Sequence, residues 1–276
     1  MVELQNAKAK FAKQGIGLAA ISYDSPEILK YFADRRKIDF PLLADPNSET
    51  IRAYQVLNTE ATGQFKGMAR PGYFFLDTKG VIREKFFEAK YRERLSGNNV
   101  IAKLFPELGE EVASTAEAPH LHLTLQQSDR TAFPGGLVTL TAEVQLPPDV
   151  HVYAPGTRDY KPIKLLIGPP SETEPQFELR PAIYPPSKIL YLPAIKESVP
   201  VFAGTFRIRQ DVRVSSAADF SNALGTDGKT LAIMGKIEYQ ACDSKICFLP
   251  ESIPVQWHLQ VLPLDRQRAP EDIRHK

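Results

Sequence analysis

The 276-residue sequence predicts an α/β domain followed by an all-β antiparallel sandwich. Three observations carry this. Helical and strand periodicities alternate through the first part of the chain. Period-two alternation of apolar and polar residues dominates the remainder. Proline divides the chain unevenly, with 5 of its 23 copies in residues 1–112 and 18 in residues 113–276. The stretch Ala113-Ser114-Thr115-Ala116-Glu117-Ala118-Pro119 is small, polar and Pro-terminated, which reads as a linker. The expected organisation is therefore a domain over 1–112, a linker over 113–119, a domain over 120–264 and a tail over 265–276.

The elements of the first part follow in order. Leu4, Ala7, Phe11 and Ala12 recur at helical spacing, and Gly15 and Gly17 end that helix. Ile16 to Ile21 is a compact apolar run, expected as a buried strand. Ser25-Pro26-Glu27 offers an N-cap and then Pro at the first helical position, opening a helix that carries Ile28, Leu29, Tyr31 and Phe32. Pro41-Leu42-Leu43-Ala44 is a second short strand. Ser48 opens a helix with Ile51, Tyr54 and Val56. Tyr73 to Asp77 and Val81 to Phe87 are two strands joined by Thr78-Lys79-Gly80, a hairpin signal. A last helix is expected from Arg92 to Leu104. Alternating strands and helices predict a sheet with a largely parallel portion.

In the second part Leu121, Leu123 and Leu125 alternate with polar residues, as do Val138, Leu140, Ala142, Val144 and Leu146. Ile233, Ile237, Tyr239 and Ala241 continue the pattern with a break at Gly235. Ile253, Val255, Trp257, Leu259 and Val261 complete it. Such alternation with Pro and Gly punctuation marks strands buried on one face. Trp257, Phe206 and Ile208 are read as packing residues.

Charge excludes some functions. The formal net charge is +1, from 34 basic and 33 acidic residues, which excludes a strongly basic nucleic-acid binder. No stretch approaches the roughly 18 apolar residues of a membrane span, so no direct membrane insertion is expected. Met1-Val2-Glu3-Leu4-Gln5 lacks the apolar core of a signal peptide. Arg35-Arg36-Lys37 is short and followed by Asp39, which suits a solvated helix end. His120 and His122 would share one strand face; a solvated face is the preferred reading over a metal site there. No metal site and no cofactor is expected. No Gly-rich phosphate loop or paired carboxylates stand in a recognisable context.

Two segments carry family resemblances. Arg70-Pro71-Gly72-Tyr73-Phe74-Phe75-Leu76-Asp77-Thr78-Lys79-Gly80, with Phe40-Pro41-Leu42-Leu43-Ala44-Asp45, resembles the peroxiredoxin-like AhpC/TSA redoxins of the thioredoxin fold. The resemblance implies a cis-proline at Pro71. It also implies a reactive cysteine at the start of the first long helix. The present chain begins inside that helix, so an incomplete thioredoxin-like domain is expected, either shortened or degenerate, with a sheet edge needing cover. Residues 1–112 contain no cysteine, so this part supplies no thiolate of its own.

Tyr239-Gln240-Ala241-Cys242-Asp243-Ser244-Lys245-Ile246-Cys247-Phe248-Leu249-Pro250 resembles the immunoglobulin-like N-terminal domain of DsbD thiol:disulfide interchange proteins, with weaker support from His151-Val152-Tyr153-Ala154-Pro155-Gly156. The resemblance implies thiol–disulfide exchange by Cys242 and Cys247, the only two cysteines. It also implies a thioredoxin-fold redox protein or a DsbD-like membrane electron donor as partner, in a periplasmic or other extracytoplasmic location. A capping loop is aligned with Leu190-Tyr191-Leu192-Pro193, and Tyr153, Tyr191 and Phe248 are expected to line the site.

Two cysteines at facing ends of antiparallel strands can meet disulfide geometry, with Cα atoms about 4.4–6.8 Å apart and Asp243 to Ile246 as the turn. A disulfide closing so short a loop gains little from chain entropy, which favours a redox role over a structural one. A structural disulfide and two unpaired thiols stay as alternatives. At the level of function, the alternatives are a non-catalytic partner-binding module and a peroxiredoxin-type antioxidant enzyme whose catalytic cysteine segment is absent from this chain.

Overall fold

A computed structural model describes residues 1–88, 93–108, 111–157, 160–168, 176–192, 196–215, 224–265 and 267–274. The chain divides into two compact units: Met1–Pro106 with Leu264–Lys276, and Glu107–Pro263.

The first unit contains α1 (Val2–Lys13), β1 (Ala20–Ser22), α2 (Pro26–Arg36), β2 (Leu42–Ala44), α3 (Glu49–Ala53), β3 (Gly72–Leu76), β4 (Ile82–Phe87), β5 (Arg94–Leu95) and α4 (Gly97–Leu104). The expected cap of α2 is present: Ser25 Oγ accepts from the Ile28 amide, with Pro26 at the first helical position. Helix α4 begins later than expected. Ser96 caps it by accepting from the Asn99 amide at 2.9 Å, and Arg92, the expected start, lies outside the described residues. A Cβ on Gly97 would stand 2.7 Å from Ala7 Cβ, so a bare backbone is what lets α4 approach α1.

The expected parallel sheet is present as a fragment. β1 pairs with β2 in parallel and β3 with β4 antiparallel, and among the described residues the two ladders do not join. β1 and β2 are three residues each, which leaves few ladder groups for further pairing. The strand expected from Ile16 starts only at Ala20. Among the described residues no peptide bond is cis, so Pro71 is trans, against expectation. An X–Pro bond prefers trans by about 0.5–1 kcal/mol. The trans form carries the extended chain from the Leu57–Ala69 bridge into β3.

The expected tail belongs to this unit. The Asp265 carboxylate accepts from Arg35 at 2.7 Å and from Arg36 at 3.0 Å, and these guanidinium groups hold its pKa well below the usual range. The Arg35–Arg36 helix end is thus ion-paired, rather than only solvated.

The second unit holds β6 (Glu111–Ala118), β7 (Leu121–Gln127), β8 (Thr131–Ala132), β9 (Gly136–Gln145), β10 (His151–Tyr153), β11 (Lys164–Ile167), β12 (Phe177–Leu179), β13 (Lys188–Leu192), β14 (Glu197–Ala203), β15 (Thr205–Val214), β16 (Thr230–Tyr239), β17 (Ala241–Cys242) and β18 (Glu251–Val261). One sheet runs β12-β15-β9-β7-β6 and a second β11-β16-β18-β8, with one core between them. A smaller sheet runs β13-β14-β10-β17. Apart from the parallel β18–β8 contact, the pairings in these sheets are antiparallel.

Trp257, Ile233, Ile237, Leu123, Leu140 and Ile208 are all fully buried in the shared core. Gly235 breaks the alternation of β16 for a steric reason: a Cβ there would lie 2.5 Å from the Leu166 carbonyl on β11. The expected linker does not exist as such. Residues 111–118 form β6, paired along β7 with a register shift between Val112 and Ser114. Its side chains are mostly exposed, so backbone pairing rather than an apolar stripe holds it.

Candidate functional site

The site is built on a hairpin. β16 leads through Gln240 into β17, the chain turns at Asp243 to Ile246, and Cys247 returns opposite Cys242. The Asp243 amide donates to the Ile246 carbonyl at 2.9 Å, and the Phe248 amide donates to the Ala241 carbonyl at 2.9 Å. Asp243 organises the turn with its side chain. Its Oδ1 accepts from the amides of Lys245 at 2.6 Å and Ile246 at 2.8 Å, the behaviour that makes Asp a turn former.

This turn brings the cysteines together as a disulfide with Cα atoms 4.0 Å apart. The separation is shorter than expected because the two residues face each other directly across the narrow hairpin. The pair is a disulfide, so the unpaired-thiol alternative does not describe this structure.

The two cysteines differ in exposure. Cys242 is 1% exposed and belongs to a small cluster with Tyr153, Val199 and Val201, whereas Cys247 is exposed. Tyr153 bridges them. Its hydroxyl lies 3.4 Å from Cys247 Sγ and 3.6 Å from Cys242 Sγ. Neither sulfur of a disulfide carries a proton, so the hydroxyl is the donor. Burial raises the Tyr153 pKa, and the Glu197 charge adds to this, so the phenol stays protonated at neutral pH. Tyr160 stacks on Tyr153 with ring centroids 4.3 Å apart and donates to Glu197 at 2.7 Å.

The other expected lining residues fall elsewhere. On β13, Leu190 and Leu192 pack against the Cys242 cluster, so the intervening Tyr191 points away and is 56% exposed. The expected tyrosine cap is thus off by one residue, and Pro193 of the same segment lies outside the described residues. Phe248 follows Cys247 and therefore faces the opposite side. It packs against the main core beside Ala241 and stacks on His120 at 3.7 Å, anchoring the returning strand instead of lining the sulfurs.

His120 and His122 do not form a pair. His120 sits in the β6–β7 turn at φ 64°, and His122 contacts Glu117 at 2.6 Å. Among the described residues no three His, Cys, Asp or Glu side chains are grouped to hold a metal. No helix among them is long and apolar enough to cross a membrane.

Sequence reasoning assigned no role to His151, which sits beside Tyr153's face of β10 and directly opposite Cys242 on β17. The signal was the His-x-Tyr spacing, which puts both rings on one face of a strand.

The turn itself makes a prediction. Asp243→Ala removes the acceptor for two amides, and is expected to lower the hydrogen-exchange protection of Lys245 and Ile246. Acidification should act alike. The carboxyl pKa is lowered chiefly by the Ile246 and Lys245 amides, so its contribution is present above the ordinary value of 3.8 and is lost as pH falls through the depressed one. Unchanged protection factors by NMR, in the variant or in acid, would contradict this account.

Comparison with known proteins adds to this geometry. Residues 1–85 match the model of the AhpC/TSA family. Among solved structures, the chain is similar to the N-terminal periplasmic domain of ScsB from Proteus mirabilis, with 11% identity and a TM-score of 0.36 over 55% of this chain and 51% of that one. It is also similar to the N-terminal domain of DsbD from Neisseria meningitidis in the reduced form, with 9% identity and a TM-score of 0.27 over 44% of this chain and 82% of that one. The chain thus spans about half the length of the ScsB domain. No curated protein matches it.

Proposed function

We propose that the second unit is a thiol:disulfide exchange module, relaying electrons through Cys242 and Cys247 to or from a partner with a CxxC pair. The observation that carries this is the asymmetry of the disulfide: one of its cysteines is exposed and the other is buried. A partner thiolate attacks Cys247 Sγ, forming a partner–Cys247 disulfide. The Cys242–Cys247 bond breaks, and its electron pair leaves on Cys242 as a thiolate. The second partner thiolate then attacks the partner sulfur. This yields an oxidised partner, a Cys247 thiolate and a domain reduced by two electrons.

Ile246 and Leu249 flank Cys247, and both are largely exposed. They offer an apolar margin on which a thioredoxin-fold protein, or the redox domain of a DsbD-like membrane donor, can rest. A stable disulfide suits an oxidising, extracytoplasmic compartment. The first unit matches a redox family in part of its length but contributes no thiol, so exchange is assigned to the sandwich. Equilibration of the oxidised chain against a graded redox buffer tests the reading. A potential well above about −300 mV, with disulfide transfer to a reduced CxxC protein, supports it; one well below, with no transfer, marks an inert structural bond and overturns it.

A further inference from the structure

We propose that His151 exchanges a proton with Cys242 as the buried sulfur alternates between disulfide and thiol. The proposal deepens the exchange reading and rests on it.

Opening the disulfide leaves charge on the sulfur of Cys242, a residue 1% exposed. A thiolate in apolar surroundings is costly, and burial raises a thiol's pKa. The buried sulfur therefore needs a proton when it leaves and must lose one when it attacks. His151 stands where that proton can be passed. It pairs with Cys242 in antiparallel register, which places their side chains on the same face with Cβ atoms about 4.5–5.5 Å apart. His151 is 6% exposed, and its ring meets the Tyr153 ring edge-on at 5.8 Å. Its Nε2 is buried and has no hydrogen-bond partner among the described residues. A buried nitrogen without a partner costs stability, so its presence beside the disulfide calls for a role, and a proton-exchange role supplies one.

The surroundings set its resting charge. On its own strand it meets Tyr153, on β17 Cys242 stands opposite, and the Asp243 carboxylate of the hairpin acts on it electrostatically. β14 presents Ala203, which does not titrate. Burial lowers the His151 pKa below 6.5, and Asp243 opposes this in part. The ring is then mostly neutral at pH 7, so its lone pair is free to take a proton.

In the closing direction the Cys242 thiol gives its proton to His151. The resulting thiolate attacks Cys247 Sγ in the mixed disulfide, the Cys242–Cys247 bond forms, and the partner sulfur leaves with the electron pair of the broken bond. In the opening direction the steps reverse, and the imidazolium returns its proton to the departing Cys242 thiolate. Tyr153 serves differently, because its hydroxyl stays protonated and only donates a hydrogen bond.

The test is reduction of the full chain by dithiothreitol across pH 5 to 9, with rates normalised to the reductant's thiolate concentration. The wild-type normalised rate should rise at least about tenfold as pH falls through the His151 pKa, the signature of a general acid. His151→Phe should be flat over that range. His151→Gln, which can donate a hydrogen bond but does not titrate here, should also be flat, and it serves if the phenylalanine variant fails to fold. Ring NMR of His151 in the wild-type chain needs no variant: its pKa should change when the disulfide is reduced. A folded variant with the wild-type pH profile, or an imidazole pKa indifferent to reduction, overturns the proposal while leaving exchange intact. A wild-type chain that neither dithiothreitol nor a CxxC protein reduces overturns the exchange reading itself.

Discussion

Cys242→Ala and Cys247→Ala are expected to behave as opposites toward a small disulfide, although both abolish transfer to a reduced CxxC partner because neither retains a disulfide. Cys242→Ala leaves the exposed Cys247 thiol, which should attack Ellman's reagent rapidly and release one thionitrobenzoate per chain. Cys247→Ala leaves a thiol that is 1% exposed under Tyr153. Its reaction should be on the order of a hundredfold slower, the factor that a local opening of about 2.7 kcal/mol imposes. Equal rates for the two variants would mean that the asymmetry of the structure does not govern access, and the assignment of Cys247 as the attacked sulfur would fall. The comparison needs no knowledge of the natural partner.

The largest effect on stability is expected at Trp257. Its side chain is fully buried on β18, opposite Ile233 on β16, and its indole nitrogen donates to the Gln126 carbonyl at 2.9 Å. Trp257→Ala should cost about 3–5 kcal/mol through lost burial and the cavity left behind. The Gln126 carbonyl also loses its indole partner, which adds about 1 kcal/mol or more where water does not replace it. Trp257→Phe keeps most of the packing and loses the hydrogen bond, so it should fall between the alanine variant and the wild type. Urea unfolding of the oxidised proteins, followed by far-UV circular dichroism, orders the three. A shift below about 1 kcal/mol for the alanine variant would show that the core collapses around the gap.

The parts of this fold legible in the sequence are those whose burial is one-sided and local. β18 alternates residue by residue: Ile253, Val255, Trp257 and Leu259 are buried as the pattern required, and Val261, its last apolar position, is partly buried. The Cys242–Cys247 hairpin was legible because its turn is contiguous and Asp243 supplies local hydrogen bonds. β6 was not legible: its residues are small, polar and exposed, and its order comes from the backbone of β7. The ion pairing of Asp265 with Arg35 spans 230 residues, a separation no local pattern records. Tyr191 shows how sharp the limit is. Tyr191 is the aromatic residue of its segment, but strand parity gives that face to Leu190 and Leu192, and a one-residue slip reverses every side chain. His151 belonged to a recognised motif, yet its use became visible only once β10 lay beside β17.

The unequal exposure of the two sulfurs has a consequence for which reductants can complete the reaction. A monothiol that attacks Cys247 creates an adduct beside an internal nucleophile that never leaves the molecule, and Cys242 expels it by restoring the original bond. A dithiol carries its own second nucleophile, tethered to the adduct and favoured by its high effective concentration. On the exchange reading, the hairpin therefore discriminates by valency: single thiols such as glutathione cycle on and off without net transfer, while paired thiols carry the reaction through. Insulation from an abundant monothiol pool follows from Cys242 staying within reach of the adduct, with no separate binding pocket required.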